Sequence, residues 1–141
     1  MKILFVCTGN TCRSPMAQVI FENLCKKNGR KDIVVKSAGL FTLNGLPVAQ
    51  NATEALIRCG EKLGRKILKT TRYNPKTKYD LVITMTNDQA DKIGAQSLDS
   101  LTGCGDITDP FMQPVEVFMT VCKRLQDALV VLYDKICNKL L

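Results

Sequence analysis

The chain opens on an unbroken apolar run, Ile3-Leu4-Phe5-Val6-Cys7, with no polar residue alternating through it. A short run of this kind predicts a strand over residues 2–7 that is buried on both faces. Residues 8–13 are polar and read as a loop. Ser14-Pro15 then predicts a helix start with Pro in the first turn, and Met16, Val19, Ile20 and Leu24 follow at helical spacing. Asn28-Gly29 ends that helix. Residues 32–37 read as a second strand closing at Ala38-Gly39, and a loop with Asn44-Gly45 and Pro47 leads to a helix near 48–59. Gly60 and Gly64 interrupt it, and the basic stretch beyond has room for one short helix. Residues 80–86 predict a third strand, with Asn87 as N-cap of a helix through about residue 95. Residues 98–110 read as loop with one short strand, and a long amphipathic helix runs from about Pro114 to the C-terminus. Strand alternating with helix argues for an α/β fold whose parallel sheet is covered on both faces. In such a sheet, ligands bind beyond the carboxyl ends of the strands.

The 141 residues suit a single domain spanning 1–141. Hydrophobic residues at 45% and charged residues at 23% place the chain among soluble globular proteins. No apolar run reaches membrane-span length, and the N-terminal run reads as a strand rather than a signal peptide. A cytoplasmic protein with no membrane partner is therefore expected, and a monomer. The seven cysteines show no C-x-x-C spacing and there is no His, so no metal site and no cofactor are expected. Cys25, Cys122 and Cys137 lie among apolar helical positions and read as core residues. The formal charge is +7, and Lys62, Arg65, Lys66, Lys69, Arg72, Lys76 and Lys78 face no acid within their own stretch. That run is either a solvated surface or a field drawing in anionic substrates. No nucleic-acid motif accompanies it and aromatics are sparse, so no nucleic-acid partner is expected.

The chemistry concentrates in Cys7-Thr8-Gly9-Asn10-Thr11-Cys12-Arg13-Ser14, a C-x5-R-S pattern set between a buried strand and a helix start. A helix N-terminus offers unpaired N–H groups and the positive end of a dipole, which together make an anion site. Gly9 is expected to let the chain turn with its N–H groups inward. Arg13 adds a planar fork matched to phosphate oxygens. A cysteine at the base of such a cradle is expected as the thiolate, a nucleophile aimed at bound phosphorus. The competing reading is a strand-end cysteine beside a glycine turn, with Arg13 on the surface. Asp109, in an Asp-Pro turn before the last helix, could protonate a leaving group, or be only a turn residue.

Val6 to Ala17 resembles the N-terminal signature of the low-molecular-weight protein tyrosine phosphatase family. Ser37-Ala38-Gly39 resembles its next signature, and Gly105-Asp106-Ile107-Thr108-Asp109-Pro110-Phe111 its general-acid loop. The resemblance implies a three-layer α/β fold, with a four-stranded parallel sheet and helices on both faces. It implies Cys7 as nucleophile, Arg13 as phosphate clamp and Asp109 as general acid, with Asp106 the runner-up. Thr8, Gly9, Asn10, Thr11, Cys12 and Ser14 would line the phosphate. It further implies that Asn10 braces the loop, that Ser14 donates to Cys7, and that Ser37 bonds Asn10. Cys12 would be the partner for a protective disulfide with Cys7. Many relatives carry a His before the third strand that ties down the Asn10 position. Lys66 falls there in this sequence.

Thr11 with Asp-Pro-Phe resembles the bacterial protein-arginine phosphatase branch, where tyrosine-specific members usually have a bulkier aliphatic residue. A phosphorylated protein is the expected partner, phosphoarginine favoured over phosphotyrosine, with Phe111 as one wall of the entrance. Two other classes share parts of the pattern. A thioredoxin-coupled arsenate reductase needs a cysteine at the end of the third strand, where this chain has Thr86. A phosphocarrier domain of a sugar transport system needs neither Arg13 nor Asp109.

Overall fold

The computed structural model describes residues 1–64 and 68–141. The strands are β1 (Lys2–Cys7), β2 (Val34–Gly39), β3 (Leu81–Thr84) and β4 (Gln96–Ser97). The helices are α1 (Arg13–Lys27), α2 (Gln50–Arg58), α3 (Asn87–Ile93), α4 (Leu98–Thr102) and α5 (Val115–Cys137). The strands pair in the order β2-β1-β3-β4, all parallel. No helix among the described residues is long and apolar enough to cross a membrane.

The continuous apolar run of β1 is explained by its central place, because both of its faces are covered. Ile3, Phe5 and Cys7 point into the larger core, with Met16, Phe21, Phe118, Leu125 and Leu129 from α1 and α5. Phe5 and Phe21 meet edge to face, with ring centroids 5.8 Å apart. Burying each of these phenyl groups contributes about 1.5–3 kcal/mol. Leu4 and Val6 point the other way, onto a smaller cluster with Tyr73, Tyr79 and Ile93. The second face is thus covered by α3 and an extended segment rather than by a full helical layer.

Several boundaries depart from the sequence reading. The N-cap of α3 is Thr86, not Asn87. Thr86 accepts from the Gln89 N–H while the Gln89 side chain reaches back to the Thr86 N–H. Both residue types cap helices, but only Thr86 has a Gln three positions on to complete a reciprocal box. Residues 98–110, expected as loop with one short strand, begin instead with helix α4, which Ser97 caps and left-handed Gly103 ends, and the strand β4 lies just ahead of them. The described part of the basic stretch is extended, not helical. Lys69 bridges to Pro47 and Arg72 to Gly39, which uses the backbone groups that a helix would need. Arg65 and Lys66 lie outside the described residues.

The sheet order reverses at β1, which has β2 on one side and β3 on the other. Connections leave in opposite directions from that point, so a crevice opens beyond the carboxyl end of β1. Cys7 is the residue at that end, in register with Gly39 of β2.

Candidate active site

Residues 8–12 join the end of β1 to the start of α1, so Cys7 and Arg13 stand at the two ends of one loop. The N-cap of α1 is Cys12, and it makes no side-chain capping bond. The loop wraps the sulfur: the Asn10 N–H donates to Cys7 Sγ at 3.3 Å, and Ser14 Oγ lies 2.9 Å from it. Ser14 Oγ accepts from Asn10 Nδ2 at 2.7 Å. Its single proton is therefore free to point at the sulfur, which is closer than its other acceptor, the Ala38 carbonyl at 3.4 Å.

Asn10 is the brace. It is buried and left-handed, with φ 56°. Its Nδ2 also donates to Ser37 Oγ at 3.0 Å, and its Oδ1 accepts from the Thr71 N–H at 2.8 Å. Ser37 in turn donates to Gln18 Oε1 at 2.8 Å. The left-handed turn thus falls on Asn10 and not on Gly9, contrary to the sequence reading. Asn tolerates that conformation better than other side chains. The glycine that the loop depends on is Gly39. A Cβ there would stand 2.9 Å from Asn10 Cβ, Asn10 N and Gly9 C.

Arg13 is buried, and its Nη1 donates to the Ile107 carbonyl at 3.1 Å. Its Nη2 lies 3.6 Å from Asp109 Oδ2, on a side chain that is 50% exposed. The other Asp109 oxygen accepts from the Phe111 N–H at 3.0 Å, the turn expected of Asp-Pro. Asp106 is directed elsewhere: its Oδ1 accepts from the Asn87 N–H at the start of α3. Cys12 is buried beside the loop, and burial above all pushes its thiol up, with Asp109 and Cys7 adding to the effect against Thr11 and Arg13. All seven cysteines are free. Among the described residues no group of three His, Cys, Asp or Glu side chains is placed to hold a metal ion.

These groups open on one hollow of about 390 Å³, lined by Cys7, Thr8, Gly9, Thr11, Cys12, Arg13, Asp109 and Phe111 together with Phe41, Thr42, Leu43 and Leu46. Every residue expected to contact the reacting phosphate is thus brought to one place, except Asn10 and Ser14, which stand behind it. The chain matches the family model described as low molecular weight phosphotyrosine protein phosphatase over residues 2–140. This chain belongs to that family.

Relatives of the phosphatase carry two kinds of name. A protein-arginine-phosphatase of Geobacillus stearothermophilus is 34% identical over 99% of this chain and 95% of its own length. The low molecular weight protein-tyrosine-phosphatase PtpB of Staphylococcus aureus is 30% identical over 97% of this chain and all of its own. A solved YwlE arginine phosphatase, a C7S mutant with a phosphorylated active site serine, superposes with a TM-score of 0.85. It is 30% identical and covers 96% of this chain and 95% of its own.

Sequence reasoning missed three parts of the phosphatase site. Phe41, 74% exposed, with Leu43 and Leu46, forms an apolar wall of the hollow that Phe111 also lines. That wall hangs on the loop itself, because the Leu40 and Phe41 N–H groups donate to the Cys7 and Thr8 carbonyls at 3.0 and 2.8 Å. Gln18 extends the bracing chain, accepting from Ser37 and donating from Nε2 to the Val35 carbonyl at 3.4 Å. Gln89 is buried and donates from Nε2 to Thr8 Oγ1 at 3.0 Å. The Thr86-x-x-Gln89 spacing was the available signal for the last of these. Asn10 Oδ1 takes its bond from the Thr71 N–H, and Lys66, where the sequence reading aligned the His of many relatives, lies outside the described residues.

Gly39→Ala is expected to cost about 1–3 kcal/mol by overpacking. It should also weaken inorganic phosphate as a competitive inhibitor, since the intruding methyl meets the loop backbone. Chemical denaturation and an inhibition titration check this; wild-type values in both would contradict the close approach.

Proposed function

We propose that this phosphatase hydrolyses phosphorylated protein side chains through a cysteinyl-phosphate on Cys7, with phosphoarginine the favoured substrate. The observation that carries the chemistry is Cys7 Sγ at the foot of the loop, held by Ser14 Oγ at 2.9 Å and the Asn10 N–H at 3.3 Å, in the hollow that Arg13 and Asp109 share. The hydroxyl and the amide both lie within hydrogen-bond reach of the sulfur that is to attack phosphorus.

In the first half-reaction the Cys7 sulfur forms the S–P bond as the side-chain P–N or P–O bond breaks. Protonated Asp109 gives its proton to the departing nitrogen or oxygen. The phosphoryl oxygens take hydrogen bonds from the loop N–H groups and the start of α1, and Arg13 supplies the planar fork. In the second half-reaction ionised Asp109 takes a proton from water. The resulting oxygen nucleophile attacks phosphorus, the S–P bond breaks, and inorganic phosphate leaves with Cys7 restored as the anion. Ser14 and Asn10 act as positioning residues, through the sulfur and the loop respectively. The phosphorylated serine of the C7S arginine phosphatase supports covalent transfer at this position.

Thr11 supports phosphoarginine. Its side chain lines the hollow beside Cys12, with Oγ1 3.6 Å from Cys12 Sγ, leaving a small polar group where a bulky aliphatic one would narrow the floor. Phe111, on the rim, offers a face on which a guanidinium can stack. Phosphotyrosine is the second reading, supported by the similarity to PtpB. Thr86 caps α3 through its hydroxyl, which supports hydrolysis over a cysteine relay.

Cys7→Ser is expected to abolish steady turnover of p-nitrophenyl phosphate while retaining phosphate binding; continued turnover would remove Cys7 as nucleophile. Asp109→Ala should lower kcat roughly 10²–10⁴-fold on esters with poor leaving groups. It should do much less on p-nitrophenyl phosphate, and equal losses along a leaving-group series would contradict its acid role. Thr11→Ile should shift the ratio of phosphoarginine to phosphotyrosine hydrolysis toward tyrosine, and an unchanged ratio would end the arginine assignment.

A further inference from the structure

Resting on that reading, we infer that Arg72 forms a second subsite beside the catalytic hollow, taking an acidic residue that flanks the phosphorylated one in the substrate chain. The wall of Phe41, Thr42 and Leu43 has two sides. One faces the catalytic hollow, and the other lines a neighbouring hollow of about 350 Å³ that adds Leu40 and Arg72. A polypeptide laid across the wall passes from Cys7 to Arg72. The two hollows share Phe41, Thr42 and Leu43, so a chain that fills the first meets the second on the other side of the same three residues.

Arg72 is held in place by its backbone while its side chain stays exposed. It bridges Gly39 at the end of β2, and its N–H donates to Asn44 Oδ1 at 2.7 Å. The residues on either side are fixed too: the Gly39 N–H donates to the Thr71 carbonyl at 2.9 Å, and the Tyr73 N–H to the Gly39 carbonyl at 2.8 Å. Thr71 also braces Asn10. The arginine stem is therefore anchored to the catalytic loop itself.

Its charge is uncompensated. Among the described residues no carboxylate lies within ion-pair distance of Arg72, whereas Arg30, Arg58 and Lys92 each pair with an acid on the surface. Lys36 lines the next hollow along with Arg72, so the positive field continues away from the wall. The apolar wall accepts the peptide's stem carbons and the guanidinium accepts its carboxylate in bidentate geometry. An acidic segment of a phosphoprotein satisfies both.

The test compares kcat/KM for two peptides with the same central phosphorylated residue, flanked on both sides by glutamates in one and glutamines in the other. Wild type should prefer the glutamate peptide, through KM rather than kcat. Arg72→Gln should lower that preference roughly three- to fivefold at low ionic strength, the size expected of an exposed charge pair. Lys26→Gln removes the same charge at the far end of α1 and should leave the preference unchanged. Each variant's glutamine peptide is its own reference, so a general loss of folded enzyme cancels. A preference intact in Arg72→Gln, or reduced equally by Lys26→Gln, would overturn the subsite while leaving the phosphatase reading in place. Failure of the wild type to turn over either peptide would overturn both.

Discussion

The site depends on one side-chain amide. Asn10 uses both of its amide protons and its oxygen, on Ser14, Ser37 and the Thr71 N–H, and so ties the loop to α1, to β2 and to the segment ahead of β3. A buried amide with all these bonds made holds its surroundings in one arrangement, whereas a half-satisfied one would cost stability. Because its own backbone sits at φ 56°, the residue also sets the turn that directs its N–H at Cys7. Gly39 makes this packing possible by leaving no Cβ in the space that Asn10 fills.

Around that brace stand the two charged groups of the hollow, Arg13 and Asp109. Arg13 is buried, yet its guanidinium is met by a carbonyl and a carboxylate instead of water. A buried cation with partners on one edge keeps its remaining donors for an anion in the hollow. Asp109 is more exposed and accepts one backbone hydrogen bond, which suits the proton exchange proposed for it. The neighbouring Cys12 thiol, pushed up by burial, places no competing anion beside Cys7.

Much of this was legible from residue order. The run from Ile3 to Cys7 announced a buried strand, and the C-x5-R-S pattern announced a loop between that strand and a helix start, which is where the residues lie. The bracing roles of Asn10, Ser14 and Ser37 came with the family signature, and their geometry follows it. What stayed hidden was tertiary. Gln18 lies on α1 and Gln89 on α3, and neither position tells which loop the side chain will meet. The apolar wall at Phe41, Leu43 and Leu46 sits in a segment with no helical or strand period. The basic stretch was hard to read and had room for one short helix, but Lys69 and Arg72 are held by bridges to residues far back in the chain.

The attachment of the wall to the floor separates what can vary from what cannot. The main chain at Leu40 and Phe41 is committed to the carbonyls of Cys7 and Thr8, so a shift of that backbone would distort the loop around the sulfur. The side chains it presents carry no such obligation, being open to solvent at Phe41 and Leu43. On the proposed reading, substitutions along that rim would alter which proteins are received while the backbone around Cys7 keeps its arrangement.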